Sequence, residues 1–160
     1  MEIEVFDNFF AEDIRKEIFN LLQRPQWSLT GGSPFQKFWH IDGLEKEEYF
    51  SEYLFNLIQD KIKRKCMFKR IYANGQTAGQ CGTPHIDDGE FTFLYYPNPE
   101  WRIDYQGHLM FLKYNEIFKT VSYKPNRAVL FSAKIKHYAD APNTLFRDIR
   151  ISLAYKLELL

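Results

Sequence analysis

The sequence predicts an α+β domain, mainly β, in which two helices are followed by at least six strands that close into a sandwich or barrel. Three observations carry this expectation. Helical periodicity is confined to the first 65 residues. Beyond them, short β-type runs alternate with Gly, Pro and Asn. The chain also holds 15 Phe, 10 Tyr and 3 Trp, bulky side chains that bury large areas and suit strands. At 160 residues the chain has the size of one domain with one core, spanning 1–160.

Each element has its own signal. Over 11–24, Ile14, Ile18, Leu21 and Leu22 recur at helical spacing and Pro25 closes the run. Residues 26–43 contain two Trp, the pair Gly31-Gly32 and Pro34, which predicts an irregular connection with short extended pieces. A longer helix is expected over 45–65. There Tyr49, Phe50, Tyr53, Leu54, Leu57, Ile58 and Ile62 share a face, and a basic last turn complements the helix dipole. Strands are expected over 66–72, 91–96, 108–114, 118–123, 128–132 and 149–157. Punctuation falls between them at Asn74-Gly75, 82–84, 97–99, Gly107, Pro125-Asn126 and Pro142-Asn143.

Charge and cysteine content narrow the function classes. Lys plus Arg and Asp plus Glu each number 21, so no whole-molecule field draws the chain to nucleic acid or to an anionic membrane. The basic cluster Lys61, Lys63, Arg64, Lys65, Lys69 and Arg70 is short and reads as a solvated helix end, with nucleic-acid binding as its rival. Cys66 and Cys81 are too few for a disulfide framework and lack the spacing of a zinc site, which predicts two reduced thiols. The acidic opening MEIEVFDNFF resembles neither a secretory signal nor a transit peptide, and no window approaches the ~20 apolar residues of a membrane span. A cytoplasmic protein is expected.

Metal chemistry must draw on four histidines, at 40, 85, 108 and 137. Two stand in His-x-Asp, His40 with Asp42 and His85 with Asp87, a spacing that is weak by itself. On a strand, residues i and i+2 point to one face, so such a pair can share a metal. Two His and one carboxylate leave coordination positions open, which is the arrangement of non-haem Fe(II) oxygenases. His85 and Asp87 lie at the edge of the β-rich half, with His137 52 residues beyond His85, whereas His40 and Asp42 are expected between the helices and outside the sheet. A later Arg follows His137 about one strand further on, and no Arg stands in that relation to His85 or His108. The second pair is the better candidate.

That Arg is Arg150. The last strand alternates Ile149, Ile151, Leu153, Tyr155 and Leu157 with Arg150, Ser152, Ala154 and Lys156. The second face is either solvent-exposed or a pocket wall. A guanidinium fork matches a carboxylate, and the small Ser152 and Ala154 beside it would leave room for a ligand. Arg147 should face the other way.

The stretches RIYANGQTAGQCGTPHIDDGEFTFLYYPNPEW, YQGHLMFL, PNRAVLFSAKIKHYADAPN and RDIRISLAYKL, in that order, resemble the Fe(II)- and 2-oxoglutarate-dependent oxygenases of the prolyl 4-hydroxylase-like group. The likeness is greatest to the compact forms encoded by bacteria and their phages. It implies a double-stranded β-helix (jelly-roll, cupin-like) core over about 66–157, braced by helical support within 1–65. It further implies that His85, Asp87 and His137 hold Fe(II), and that Arg150 pairs with the C5 carboxylate of 2-oxoglutarate with Ser152 beside it. Tyr96 and Tyr72 match aromatic positions near that cosubstrate; core rings with satisfied hydroxyls are the alternative for both. Trp101 reads as packing. The implied reaction consumes O2 and 2-oxoglutarate, releases succinate and CO2, and hydroxylates a prolyl or other residue of a peptide or protein, with ascorbate in a supporting role, in the cytoplasm of a bacterial or phage-infected cell.

Two features depart from the pattern. Gly107-His108 stands where the family often has Gly-Gly, so His108 either shapes the substrate mouth or is an exposed strand residue. Several members carry Lys at the position of Arg150. The same chemistry on a small metabolite or nucleobase, and a non-catalytic metal-binding jelly roll, stand as alternatives. Asp88 should be a supporting or surface carboxylate, because it points away from Asp87 along a strand.

Overall fold

The computed structural model describes residues 3–160; the first two residues of the expected 1–160 domain, and of the acidic opening, lie outside the described residues. The elements in chain order are β1 (Glu4–Phe6), α1 (Glu12–Leu21), β2 (Ser28–Gly32), β3 (Lys37–Ile41), a 3-10 turn (Leu44–Lys46) and a π-helical segment (Tyr49–Leu54) that runs into α2 (Phe55–Ile62). There follow β4 (Cys66–Gln76), β5 (Phe91–Tyr96), a second 3-10 turn (Ile103–Tyr105), β6 (Leu109–Lys113), β7 (Glu116–Val121), β8 (Arg127–Ser132), β9 (Lys136–Ala139) and β10 (Arg150–Leu159). They form two antiparallel sheets, the larger in the order β1-β8-β5-β10-β4-β3-β2 and the smaller in the order β7-β6-β9. This is the jelly-roll core that was expected.

Two hydrophobic clusters explain the layering. One face of the large sheet, including Ile71, Phe93, Tyr95, Leu153 and Tyr155, packs under Ile18 and Leu22 at α1 and Phe50, Leu54 and Ile58 of the second helical segment. The other face meets the small sheet through Tyr96, Val129 and Phe131 against Leu109, Phe111 and Val121. Helix α1 is tied to the sheet by the buried Arg15, whose Nη1 donates to Pro97 O at 2.8 Å. Helix α2 ends at Lys63, whose left-handed φ of 56° closes it as glycine often does.

Several expectations are corrected. The 45–65 helix is shorter than its periodicity: its first half is a 3-10 turn and a π-helical segment, a wider coil that still buries Phe50 and Leu54. The extended pieces in 26–43 are the paired strands β2 and β3, and β3 continues the sheet beside β4. His40 is therefore inside the sheet rather than outside it, opposite Asn74. Asn74-Gly75 is not a turn but lies within β4, which runs on to Gln76. The Asn74 side chain is engaged across the strands by His40, and a Cβ at Gly75 would stand 2.3 Å from Ile149 Cδ1, so glycine serves close packing here. Strands β1 and β9 are too short to show a period and were not anticipated.

Candidate metal centre

The centre is built on β9, β10, β4 and β5. His85 precedes β5 and forms an isolated antiparallel bridge with His137 of β9. Asp87 is held nearby by its N–H, which donates to Ala133 O at 2.8 Å. The shared facing of His85 and Asp87 thus comes from two backbone anchors rather than from a continuous strand. His85 Nε2 lies 3.3 Å from Asp87 Oδ1, and His137 Nε2 lies 3.3 Å from Asp87 Oδ2. One ligand atom from each of the three residues falls within 4.8 Å of the others.

The donor chemistry suits a divalent metal. His85 Nδ1 is 2.7 Å from Thr83 O, and His137 Nδ1 is 2.8 Å from Ile135 O. A carbonyl oxygen only accepts, so each Nδ1 carries a proton and each Nε2 is the ring atom turned to the centre, a donor to Asp87 in the imidazolium and a lone pair for a metal in the neutral ring. Burial alone would raise the Asp87 pKa. The hydrogen bonds with His137 and His85 and the charge of Lys156 outweigh it and hold the carboxyl well below the usual carboxylate range. The same Asp87 contact raises His85, against the opposing pull of burial.

Three adjacent strands supply the wall behind these three side chains. From β10 come Arg150, Ser152, Ala154 and Lys156; their cross-strand partners on β4 are Gln76, Asn74, Tyr72 and Arg70, and on β5 Leu94 and Thr92 face Ala154 and Lys156. The second face of β10 is therefore a buried wall, with Arg150 only 2% exposed. Arg150 Nε donates to Gly107 O at 2.6 Å and Nη1 donates to Gln76 Oε1 at 2.9 Å. Its guanidinium carbon lies 5.3 Å from the ring centre of Tyr96 and 4.8 Å from that of Tyr123. Gly107 permits this approach: its φ is +73°, and a Cβ there would meet Arg150 Cδ and Trp101 Cζ2 at 3.0 Å each.

The remaining candidate residues divide. Tyr96 is fully buried beside Arg150, and its hydroxyl has no hydrogen-bond partner among the described residues. Burial raises its pKa. Tyr72 packs on His40 with tilted rings 5.1 Å apart, lies under the Arg70 guanidinium at 4.8 Å and borders His85, Asp87 and His137; burial, reinforced by Asp87, raises its pKa. Ser152 lines the cavity shared by Arg150, His85, Asp87 and His137. Trp101 packs on Tyr123 and Phe146. Asp88 is on the surface, paired with Arg70 at 3.1 Å. His108 lies away from the groove, its Nδ1 accepting the Tyr123 N–H at 3.1 Å. Burial and the Arg150 charge lower its pKa.

A small inner cavity of about 50 Å³, bounded by His85, Asp87, His137, Arg150, Ser152 and Lys156, adjoins an open groove of about 480 Å³. The groove runs between the β2–β3 hairpin and the segment that carries His85, over Phe38, His40, Tyr72 and Asn74. Sequence reading missed this hairpin wall, along with Gln76, Thr92 and Lys156. The signal for Lys156 was present: a lysine on the same face as Arg150, between the apolar Tyr155 and Leu157.

No protein-family model and no curated protein matches the chain. Solved structures do. A prolyl hydroxylase from Trichoplax adhaerens, in complex with a hypoxia inducible factor oxygen degradation domain peptide fragment, is 19% identical with a TM-score of 0.73, covering 97% of this chain and 82% of that one. An oxidoreductase of the 2OG-Fe(II) oxygenase family from Burkholderia pseudomallei is 13% identical with a TM-score of 0.77, covering 97% and 84%. A non-haem α-ketoglutarate-dependent epimerase of nogalamycin biosynthesis is 11% identical with a TM-score of 0.70, covering 96% and 76%. The likeness is one of fold and runs through nearly the whole chain. Among the described residues no helix is long and apolar enough to cross a membrane.

Proposed function

We propose that this chain is one oxygenase domain, a non-haem Fe(II) and 2-oxoglutarate-dependent dioxygenase that hydroxylates a prolyl or other residue of a peptide or protein. One observation carries the reading: two imidazoles with their Nε2 atoms turned to a carboxylate share a cavity with a buried guanidinium on the strand behind them. A structural metal site has no need of that guanidinium. The overall conversion joins O2, 2-oxoglutarate and a C–H bond to give succinate, CO2 and an alcohol.

His85, Asp87 and His137 would hold Fe(II), which when bound supplies the oxidising power for C–H hydroxylation. Arg150 binds the distal carboxylate of 2-oxoglutarate. Gln76 and the Gly107 carbonyl hold its fork in place. The unpartnered Tyr96 hydroxyl offers a further donor to an anion at Arg150, and Ser152 lines the approach to it. Leu94 and Leu109 line the inner cavity and, with Phe111 and Phe131 packed on the His137 ring, keep water from the centre. The wide groove under β2 and β3 supports an extended substrate such as a peptide. A cytoplasmic setting accords with the free thiols Cys66 and Cys81.

The test is succinate formation by the purified protein with Fe(II), ascorbate, O2 and 2-oxoglutarate, scored with oxygen incorporation across peptide, metabolite and nucleic-acid panels. Hydroxylated peptide with matching succinate is expected. Absence of both 2-oxoglutarate binding and succinate would overturn the reading; product from a metabolite or a nucleobase alone would overturn the peptide assignment.

A further inference from the structure

Lys156 is 1% exposed and stands at the far end of the cavity wall from Arg150, against a candidate metal ligand. Its ammonium pairs with Asp87 Oδ2 and donates to Thr92 Oγ1 at 3.1 Å. The Thr92 hydroxyl in turn donates to the same Asp87 Oδ2 at 2.6 Å. Sheet register brings the lysine and the threonine side by side: Lys156 of β10 is directly opposite Thr92 of β5. A buried ammonium is costly unless hydrogen-bonded and paired, and this one is retained where a divalent cation is also to bind. Charge alone disfavours that choice.

The hydrogen-bond geometry supplies a reason. A carboxylate oxygen has two lone-pair sites, and on Asp87 Oδ2 the Thr92 hydroxyl and the Lys156 ammonium both compete for them, while His137 Nε2 also lies 3.3 Å from that oxygen. Each oxygen thus faces one imidazole, but among the described residues Oδ1, 3.3 Å from His85 Nε2, has no hydroxyl or ammonium donor beside it.

We propose that Lys156, acting with Thr92, is a positioning residue that reserves Asp87 Oδ2, so that the carboxylate offers the metal one oxygen only and leaves the position that a second oxygen would occupy to 2-oxoglutarate. The proposal rests on the oxygenase reading for its second half and on the metal site alone for its first. Outer partners of metal ligands usually raise ligand basicity; a cation on the carboxylate does the reverse, weakening metal binding while keeping coordination open. Removing the ammonium therefore has opposite consequences for the two ligands. The metal gains a more basic carboxylate that can chelate it, and the cosubstrate loses a coordination position.

Lys156→Met keeps most of the side-chain length and removes the charge. Against wild type, its Co(II) affinity should rise roughly tenfold, and the affinity of the Co(II)-loaded protein for 2-oxoglutarate should fall roughly tenfold, both read by titration calorimetry. Thr92→Val should move both affinities in the same directions by less. If Lys156→Met does not fold, as judged by circular dichroism, Thr92→Val decides alone. A parallel fall in both affinities would mark a merely structural role and overturn the proposal. So would changes within twofold, or a tighter metal with unchanged 2-oxoglutarate. If wild type binds Co(II) but never 2-oxoglutarate, it is the oxygenase reading that fails, and the Co(II) affinity of Lys156→Met still tests the role assigned to Lys156.

Discussion

His85 and His137 exchange both backbone hydrogen bonds, His85 N–H to His137 O at 3.0 Å and the return bond at 2.9 Å, with their ring centres 4.5 Å apart. The backbone rung exists independently of the imidazoles. His85→Ala should therefore lower divalent-metal affinity on the order of 100-fold, since losing even an outer partner of a ligand commonly costs 10–100-fold. Because the His85 side chain is half exposed, metal-free stability should change by no more than about 1 kcal/mol. Metal titration and urea denaturation of the stripped protein check the two halves.

Tyr96 gives a prediction of opposite signs. Its buried hydroxyl has no hydrogen-bond partner among the described residues, so Tyr96→Phe removes a desolvated polar group without breaking a hydrogen bond among them. Urea denaturation should show stability unchanged or raised by about 1 kcal/mol. Titration of the metal-loaded variant should show 2-oxoglutarate bound roughly tenfold more weakly, the worth of one hydrogen bond to a charged group.

Gly107→Ala should damage the fold and the anion pocket together. The position has φ of +73°, and the added methyl would press on Arg150 Cδ and Trp101 at 3.0 Å. A cost of about 1–3 kcal/mol is expected from the backbone conformation alone. Displacement of the guanidinium should also weaken 2-oxoglutarate binding, which separates this variant from a surface glycine such as Gly79, where an added Cβ meets nothing within 4 Å.

Acid sensitivity should include a contribution from Asp7, between β1 and α1. Its hydrogen bond from Arg127 at 2.7 Å lowers the carboxyl from 3.8 to about 2 against slight burial, with Lys124 at 3.2 Å assisting. A depressed folded-state pKa contributes stability that is full above the unfolded value and is lost as the pH falls through the folded one. Asp7→Asn should thus be less stable than wild type at pH 7, by no more than ~1 kcal/mol because the pair is partly exposed. In denaturation curves the difference should shrink between pH 4 and pH 2 and vanish below.

Much of the architecture was legible where a local signal was long enough. The strand over Phe91–Tyr96 was bounded by acidic, Gly and Pro residues and matches its expected limits; the alternation of β10 named its two faces. Short elements such as β1 and β9 carried no period. The Asn74-Gly75 pair read as a turn because its signal is local, whereas β10 and β3 on either side hold it extended. Tyr95 and Tyr96 illustrate the same division. Their opposite facing follows from the period of two, but only packing sends Tyr95 to hydrogen-bond Asn126 under α1 and Tyr96 to an unpartnered place beside Arg150.

The sequence by itself determined which residues share a face on β10, Arg150 with Ser152, Ala154 and Lys156, because side-chain alternation is a property of the strand alone. It could not determine whether that face met water or a cavity. The tertiary structure decided this by flanking β10 with β4 and β5 and closing the small sheet over it, contacts between segments far apart in the chain. The same register set Lys156 against Thr92 and Asp87. A lysine that composition counts as one solvated charge thereby became part of the candidate metal centre.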